Sequence, residues 1–194
     1  MKDVRAITLL AAVAALTLGA WSSPASATTL EVPGLTQSQA VSIEATLAAG
    51  TSLILKDRNG VTNDTCSGST LAATTANPFT AGTLSGPVST LQLQGCSHTT
   101  DTLSAGNLSI AWTSGTNGTV VSSGAEVTFK STIFGVSAVC ATGAGTVIGT
   151  LTGASSGTAT IDFKAATLDC GALGASTWTG TYSVTSPSGF GVRS

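Results

Sequence analysis

Apolar and polar residues alternate along this chain in short runs. Val41, Ile43, Ala45 and Leu47 fall on one face, and Ser42, Glu44 and Thr46 on the other. That period of two marks a half-buried β-strand. The overlapping stretch 36–49 is also rich in Gln, Ala, Leu and Glu, which are good helix formers, but the alternation favours the strand. Gly50 then turns the chain into Ser52–Lys56. Further alternating runs cover Val88–Gln94, Leu108–Trp112, Thr119–Ser122, Glu126–Ile133, Thr158–Lys164 and Thr177–Val184, with Gly and Ser clusters between them. Short strands at this spacing predict an all-β fold, an antiparallel β-sandwich that is Ig-like in a loose sense. Asn59-Gly60 and Asn117-Gly118 carry the strongest short hairpin signal. After residue 50 no stretch offers a convincing helical period.

The N-terminal stretch reads differently from the rest. Lys2 and Arg5 precede an apolar run from Ala6 to Ala20, and Ala25-Ser26-Ala27 closes it with small residues. This is the layout of a secretory signal peptide over residues 1–27, with cleavage expected after Ala27. The run is shorter than the roughly 20 residues of a spanning helix, and no later stretch approaches that length. Residues 28–39, broken by Pro33 and Gly34, read as a flexible leader, and residues 40–194 as a single domain.

Residues 28–194 carry five Lys/Arg against eight Asp/Glu, a net charge of −3. Nucleic-acid binding calls for a basic face that five scattered cations do not make. The same residues include 32 Thr, 22 Ser and 22 Gly. Low charge with abundant Thr, Val, Ile and Leu separates this composition from that of a disordered chain. Threonine suits a pleated surface with one wet face, because its methyl packs while its hydroxyl meets water.

Export changes the meaning of the four cysteines. Cys66, Cys96, Cys140 and Cys170 form an even set in a chain bound for an oxidising compartment, which reads as disulfides. Four cysteines allow three connectivities, and the equal 30-residue spacing favours Cys66–Cys96 with Cys140–Cys170. Each pair opens and closes a segment of two extended runs around a Gly/Ser-rich connection, so each bridge would tie strand ends together. No Cys-x-x-Cys is present and His98 is the sole histidine, so zinc is not expected. A calcium site would have to be assembled from separated loops, for instance by Asp57, Asp64 or Asp101, and neither a metal nor a cofactor enters the expectation.

Two motif matches fail on context. Gly153-Ala-Ser-Ser-Gly157 fits the nucleophile-elbow pattern, but it lies between β runs and no histidine follows it. Gly143-Ala-Gly-Thr-Val-Ile-Gly149 approaches a dinucleotide loop with its last glycine one place late and no helix behind it. Three glycosylation sequons begin at Asn63, Asn107 and Asn117. No catalytic residue is indicated, and the expectation is a protein that is not an enzyme. Trp112 shares a face with Leu108 and Ile110, and Trp178 one with Gly180, Tyr182 and Val184. With eight aromatics in residues 28–194, both tryptophans are expected in the core. The alternative is an exposed sugar-stacking platform.

The segments Cys66-Ser-Gly-Ser-Thr-Leu71, Ser109-Ile-Ala-Trp112-Thr, Ser131-Thr-Ile-Phe134-Gly-Val-Ser-Ala-Val-Cys140 and Trp178-Thr-Gly-Thr-Tyr182, leading into Ser186-Pro-Ser-Gly189, resemble small exported bacterial β proteins of the PraB-like group (protein activator of alkane oxidation). The resemblance covers roughly residues 40–192 and rests on structural motifs. It implies assistance to alkane use and surface or biofilm roles, and it brings no catalytic residues. The functional expectation is a secreted or cell-surface structural or adhesion-type protein in contact with the cell envelope, itself or hydrophobic material. A ligand- or carbohydrate-binding module using Trp112 or Trp178 is the alternative.

Overall fold

The computed structural model describes residues 28–34, 39–75, 83–98, 100–130 and 137–194. The export signal expected over residues 1–27 lies outside these, as does Phe134. The chain forms strands β1 (Thr29–Glu31), β2 (Ser42–Leu47), β3 (Leu53–Lys56), β4 (Thr62–Thr74), β5 (Leu84–Cys96), β6 (Thr100–Ser104) and β7 (Asn107–Ser114). It continues through β8 (Asn117–Ser123), β9 (Glu126–Lys130), β10 (Ser137–Ala141), β11 (Thr146–Thr152), β12 (Thr160–Asp169), β13 (Ala175–Ser186) and β14 (Gly191–Arg193). A single 3₁₀ turn, Gly171–Leu173, joins β12 to β13.

The ladder closes on itself. β4 pairs with β5, β5 with β7, β7 with β8, β8 with β11, β11 with β12 and β12 with β13, all antiparallel. β13 returns to β4 through β2 and β3, which lie end to end in one position and each pair with both neighbours. The result is an eight-position, up-and-down barrel in chain order. A sandwich of two separate sheets, the sequence expectation, is not what this ladder forms. Alternation specifies one buried face per strand, but not whether that face meets a second sheet or the far wall of the same one.

Strand length decides the difference. β4 and β5 are 13 residues each, β12 is 10 and β13 is 12, well beyond the five or six of an ordinary strand. These four run through two tiers. One tier is closed by β2 and the β7–β8–β11 wall. In the other, β3 replaces β2, and the three-stranded unit β6–β9–β10 stands where β7, β8 and β11 have ended. β10 reaches β12 through the pair Ala141 and Asp169.

The barrel interior is a side-chain core. Val120, Phe129, Leu151, Ile161, Tyr182 and Val184 are buried within it, and the Phe163 and Tyr182 rings meet at 5.0 Å. The Tyr182 hydroxyl donates to Ser69 Oγ at 2.8 Å. Outward positions on β13 are Thr177, Thr179, Thr181, Ser183 and Thr185, alternating with buried Trp178, Tyr182 and Val184. A membrane-spanning barrel has the reverse arrangement, with its apolar band outside. No helix among the described residues is long and apolar enough to cross a membrane.

Three local expectations change. Thr29–Glu31, read as part of a flexible leader, pairs with β14 as β1, and Thr28 Oγ1 accepts the Trp112 N–H at 3.0 Å. The β7–β8 turn is Gly115-Thr116, two residues before Asn117-Gly118. Gly115 has φ +54°, whereas Gly118 lies in the strand where an added Cβ would sit 2.6 Å from Ile110 Cγ2. Gly118 thus serves close packing, which a hairpin motif does not reveal. Trp112, expected in the core, is 36% exposed.

Candidate functional site

Both disulfides form in the second tier, with the pairing Cys66–Cys96 and Cys140–Cys170. Cys66 on β4 and Cys96 at the end of β5 are direct register partners. Cys140 lies on β10, and Cys170 follows β12. Each bridge therefore sits where the β6–β9–β10 unit joins the barrel wall. The loop-entropy contribution is about 3.5 kcal/mol for each 30-residue loop. Two disulfides suit an oxidising environment.

Asp64 holds the first of these junctions. It is 2% exposed and lies two residues before Cys66, on the same inward face of β4. Its Oδ1 accepts the Thr65 N–H at 2.7 Å, the Ser97 hydroxyl at 2.7 Å and the His98 N–H at 3.0 Å. The Thr100 hydroxyl donates to Oδ2. Burial by itself would push this carboxyl up, but the bonds from Thr100, Ser97, His98 and Thr65 outweigh it and hold the pKa below the usual carboxylate value. The half-exposed His98 ring has Nδ1 3.8 Å from Asp64 Oδ1 and 3.2 Å from Ser97 Oγ.

The other acids expected as calcium donors do not join Asp64. Asp57 Oδ1 accepts the N–H groups of Asn59 and Val61 and closes the β3–β4 turn, and Asp101 stands exposed on β6. Asp64 instead lies within 4.8 Å of both sulfurs of the Cys66–Cys96 bridge, which as a disulfide offer no thiolate to a metal. This juxtaposition is not visible in the sequence, where the cysteines read as bridges and Asp64 as a loop acid.

The tryptophans separate. Trp178 is 8% exposed and lines the interior, so it offers no platform. Trp112 lies near the β7–β8 turn, its indole N–H donating to the Gly115 carbonyl at 2.9 Å. An apolar void of about 60 Å³ lies at the seam between tiers, lined by Leu71, Leu108, Val127, Phe163, Trp178 and Tyr182 among others. Small-molecule sites run to roughly 300–1,000 Å³, so this void belongs to the core. The Gly153–Gly157 segment is a loop between β11 and β12, without the helix a nucleophile elbow needs.

Outside, the wall is mostly Thr and Ser, and the exposed large apolar side chains among the described residues are Val61, Leu103, Trp112, Val139 and Val147. Leu103 on β6, Val139 on β10 and Val147 on β11 are 58%, 48% and 60% exposed. Comparison with protein-family models, with curated proteins and with solved structures finds no match. The PraB-like resemblance is carried by the quoted segments alone.

Proposed function

We propose that this is an exported, non-enzymatic protein of structural or adhesion type, secreted or held at the cell surface, whose outer wall is the working part. The observation that carries this is the packed barrel itself: its interior is filled, its second tier is cross-linked twice, and its exposed wall is a low-charge Thr/Ser surface. Leu103, Val139 and Val147 supply apolar contacts on that wall and fit a role in contact with hydrophobic material, which the PraB-like resemblance also implies for alkanes. The residue 1–27 pattern supports export, which suits the disulfides.

The test is partition of purified protein between buffer, hydrocarbon droplets and whole cells, beside sedimentation for self-association. Wild type is expected to associate with at least one of these. A Leu103→Ser/Val139→Ser/Val147→Ser triple variant should lose most of any hydrocarbon binding. A protein that stays monomeric in buffer and binds neither droplets nor cells overturns the proposal.

Trp112 favours a second reading, a carbohydrate-binding module. Its indole is exposed and its N–H is fixed by Gly115, the arrangement of a rigid stacking surface. Quenching of its fluorescence by oligosaccharides, lost in Trp112→Ala, distinguishes this reading from the first.

A further inference from the structure

The two bridges differ in what a reducing thiol can reach. Cys140, Cys170 and Cys66 are buried, whereas Cys96, at the end of β5 between exposed Gly95 and Ser97, is half-buried. In disulfide exchange a thiolate attacks one sulfur, and the other leaves with the bonding electron pair. Attack from solvent therefore falls on Cys96 Sγ, and the departing charge develops on the buried Cys66 Sγ. We propose that Asp64 guards this bridge against thiol reductants, because its fixed carboxylate charge opposes the thiolate that must form on Cys66.

The geometry supplies the opposition. Asp64 and Cys66 share the inward face of β4, and a carboxylate oxygen and both sulfurs lie within 4.8 Å of one another. The carboxylate is held in place, since the Thr65 and His98 N–H groups and the Ser97 and Thr100 hydroxyls all donate to it. Those four bonds also favour its ionised form, so it stands beside Cys66 as a charge rather than as a neutral acid. Leu53 and Leu55 line the same small void as Asp64 and Cys66. The departing charge thus meets apolar side chains, among which like charges repel more strongly than in water. A neighbouring charge moves a pKa by about 1–3 units, and about half a unit of log rate per pKa unit makes that roughly three- to thirtyfold slower exchange. Among the described residues no acid joins Cys140–Cys170 within the same distance, and burial alone shields that bridge.

The test is reduction of the oxidised full chain by dithiothreitol at about pH 8, where imidazoles in general are uncharged, with alkylation and peptide mass mapping to follow each bridge. One dithiothreitol thiolate forms a mixed disulfide with Cys96 and releases the Cys66 thiolate. Its second thiol then displaces Cys96, leaving cyclic oxidised dithiothreitol and two protein thiols. Asp64→Asn should open Cys66–Cys96 about tenfold faster than wild type and leave the Cys140–Cys170 rate unchanged. Thr100→Val loosens the same junction with the carboxylate kept, and should change the rate little. Cys66 in a Cys96→Ala chain reads the charge alone: its thiolate, followed by ultraviolet absorbance, should form at lower pH once Asp64→Asn is added. Equal rates in wild type and Asp64→Asn, acceleration of both bridges together, an acceleration as large in Thr100→Val, or a Cys66 titration unmoved by Asp64→Asn each overturns the proposal.

Discussion

Replacing Asp64 by alanine puts the junction account to its most demanding test. The substitution removes the acceptor of four hydrogen bonds at a residue 2% exposed. The consequences differ by donor. Thr65 N–H retains Ser97 Oγ at 3.2 Å, and the Ser97 hydroxyl has His98 Nδ1 at 3.2 Å. The His98 N–H and the Thr100 hydroxyl lose the partners shown for them. One orphaned backbone donor costs about 1–3 kcal/mol and each lost charge-assisted bond is of similar size, so the expected destabilisation is about 2–4 kcal/mol. Urea unfolding at pH 7 with both disulfides intact measures it. The pH dependence has a definite sign. The folded pKa of Asp64 lies below the usual carboxylate value, so its stabilisation is complete above the unfolded value of about 3.9. That stabilisation fades as pH falls through the folded value. The gap between wild type and Asp64→Ala should therefore narrow on acidification below about pH 4. A gap under about 0.5 kcal/mol at pH 7, or one that stays constant down to pH 2, refutes the role assigned to this carboxylate.

Other outcomes follow from the same structure. Tyr182 is the chain's single tyrosine, and burial, only partly offset by its bond to Ser69, pushes its pKa up to about 12. Absorbance titration should show no phenolate before about that pH, and the stability that depends on the neutral phenol is lost as pH rises through it; ionisation near 10 would contradict the packing. Tyr182→Phe should cost about 1 kcal/mol in urea, the worth of one buried hydrogen bond. Cys140→Ser/Cys170→Ser should lose about 3.5 kcal/mol and raise amide exchange in β9 and β10 well above that in β7 and β8; uniform exchange would deny the unit its separate attachment. In a Trp21→Phe background, acrylamide should quench Trp112 strongly and Trp178 weakly, and equal quenching would show that Trp178 is not in the core.

Much of the fold is legible in local pattern. The runs around β2, β3, β5, β7, β8, β9, β12 and β13 are visible because a period of two places apolar residues on one face, as in Val41, Ile43 and Ala45. Asp57-Arg58-Asn59-Gly60 forms its turn because Gly60 takes φ +81° and Asp57 caps the backbone, both local demands. The true lengths of β4 and β5 are harder to see, since Gly68, Gly86 and Gly95 interrupt the apolar signal inside them. Gly86 looks like a breaker, yet an added Cβ there would lie 1.8 Å from the Thr74 carbonyl oxygen. The strand continues through it because the neighbouring backbone comes too near for a side chain. The candidate site is legible only in pieces. Asp64 is polar in a Thr/Ser-rich stretch, and nothing nearby in sequence announces that Ser97, His98 and Thr100, more than thirty residues on, will converge upon it.

By itself the sequence determined that this chain is β-rich, low in charge and equipped with two evenly spaced cysteine pairs, because alternation, composition and spacing are properties of neighbouring residues. Barrel rather than sandwich, Trp112 outside, and the gathering of Asp64 beside Cys66 and Cys96 were decided by tertiary structure. Each of these depends on which strands meet across the closed wall, and strand partners are chosen by long-range register, which no local period encodes.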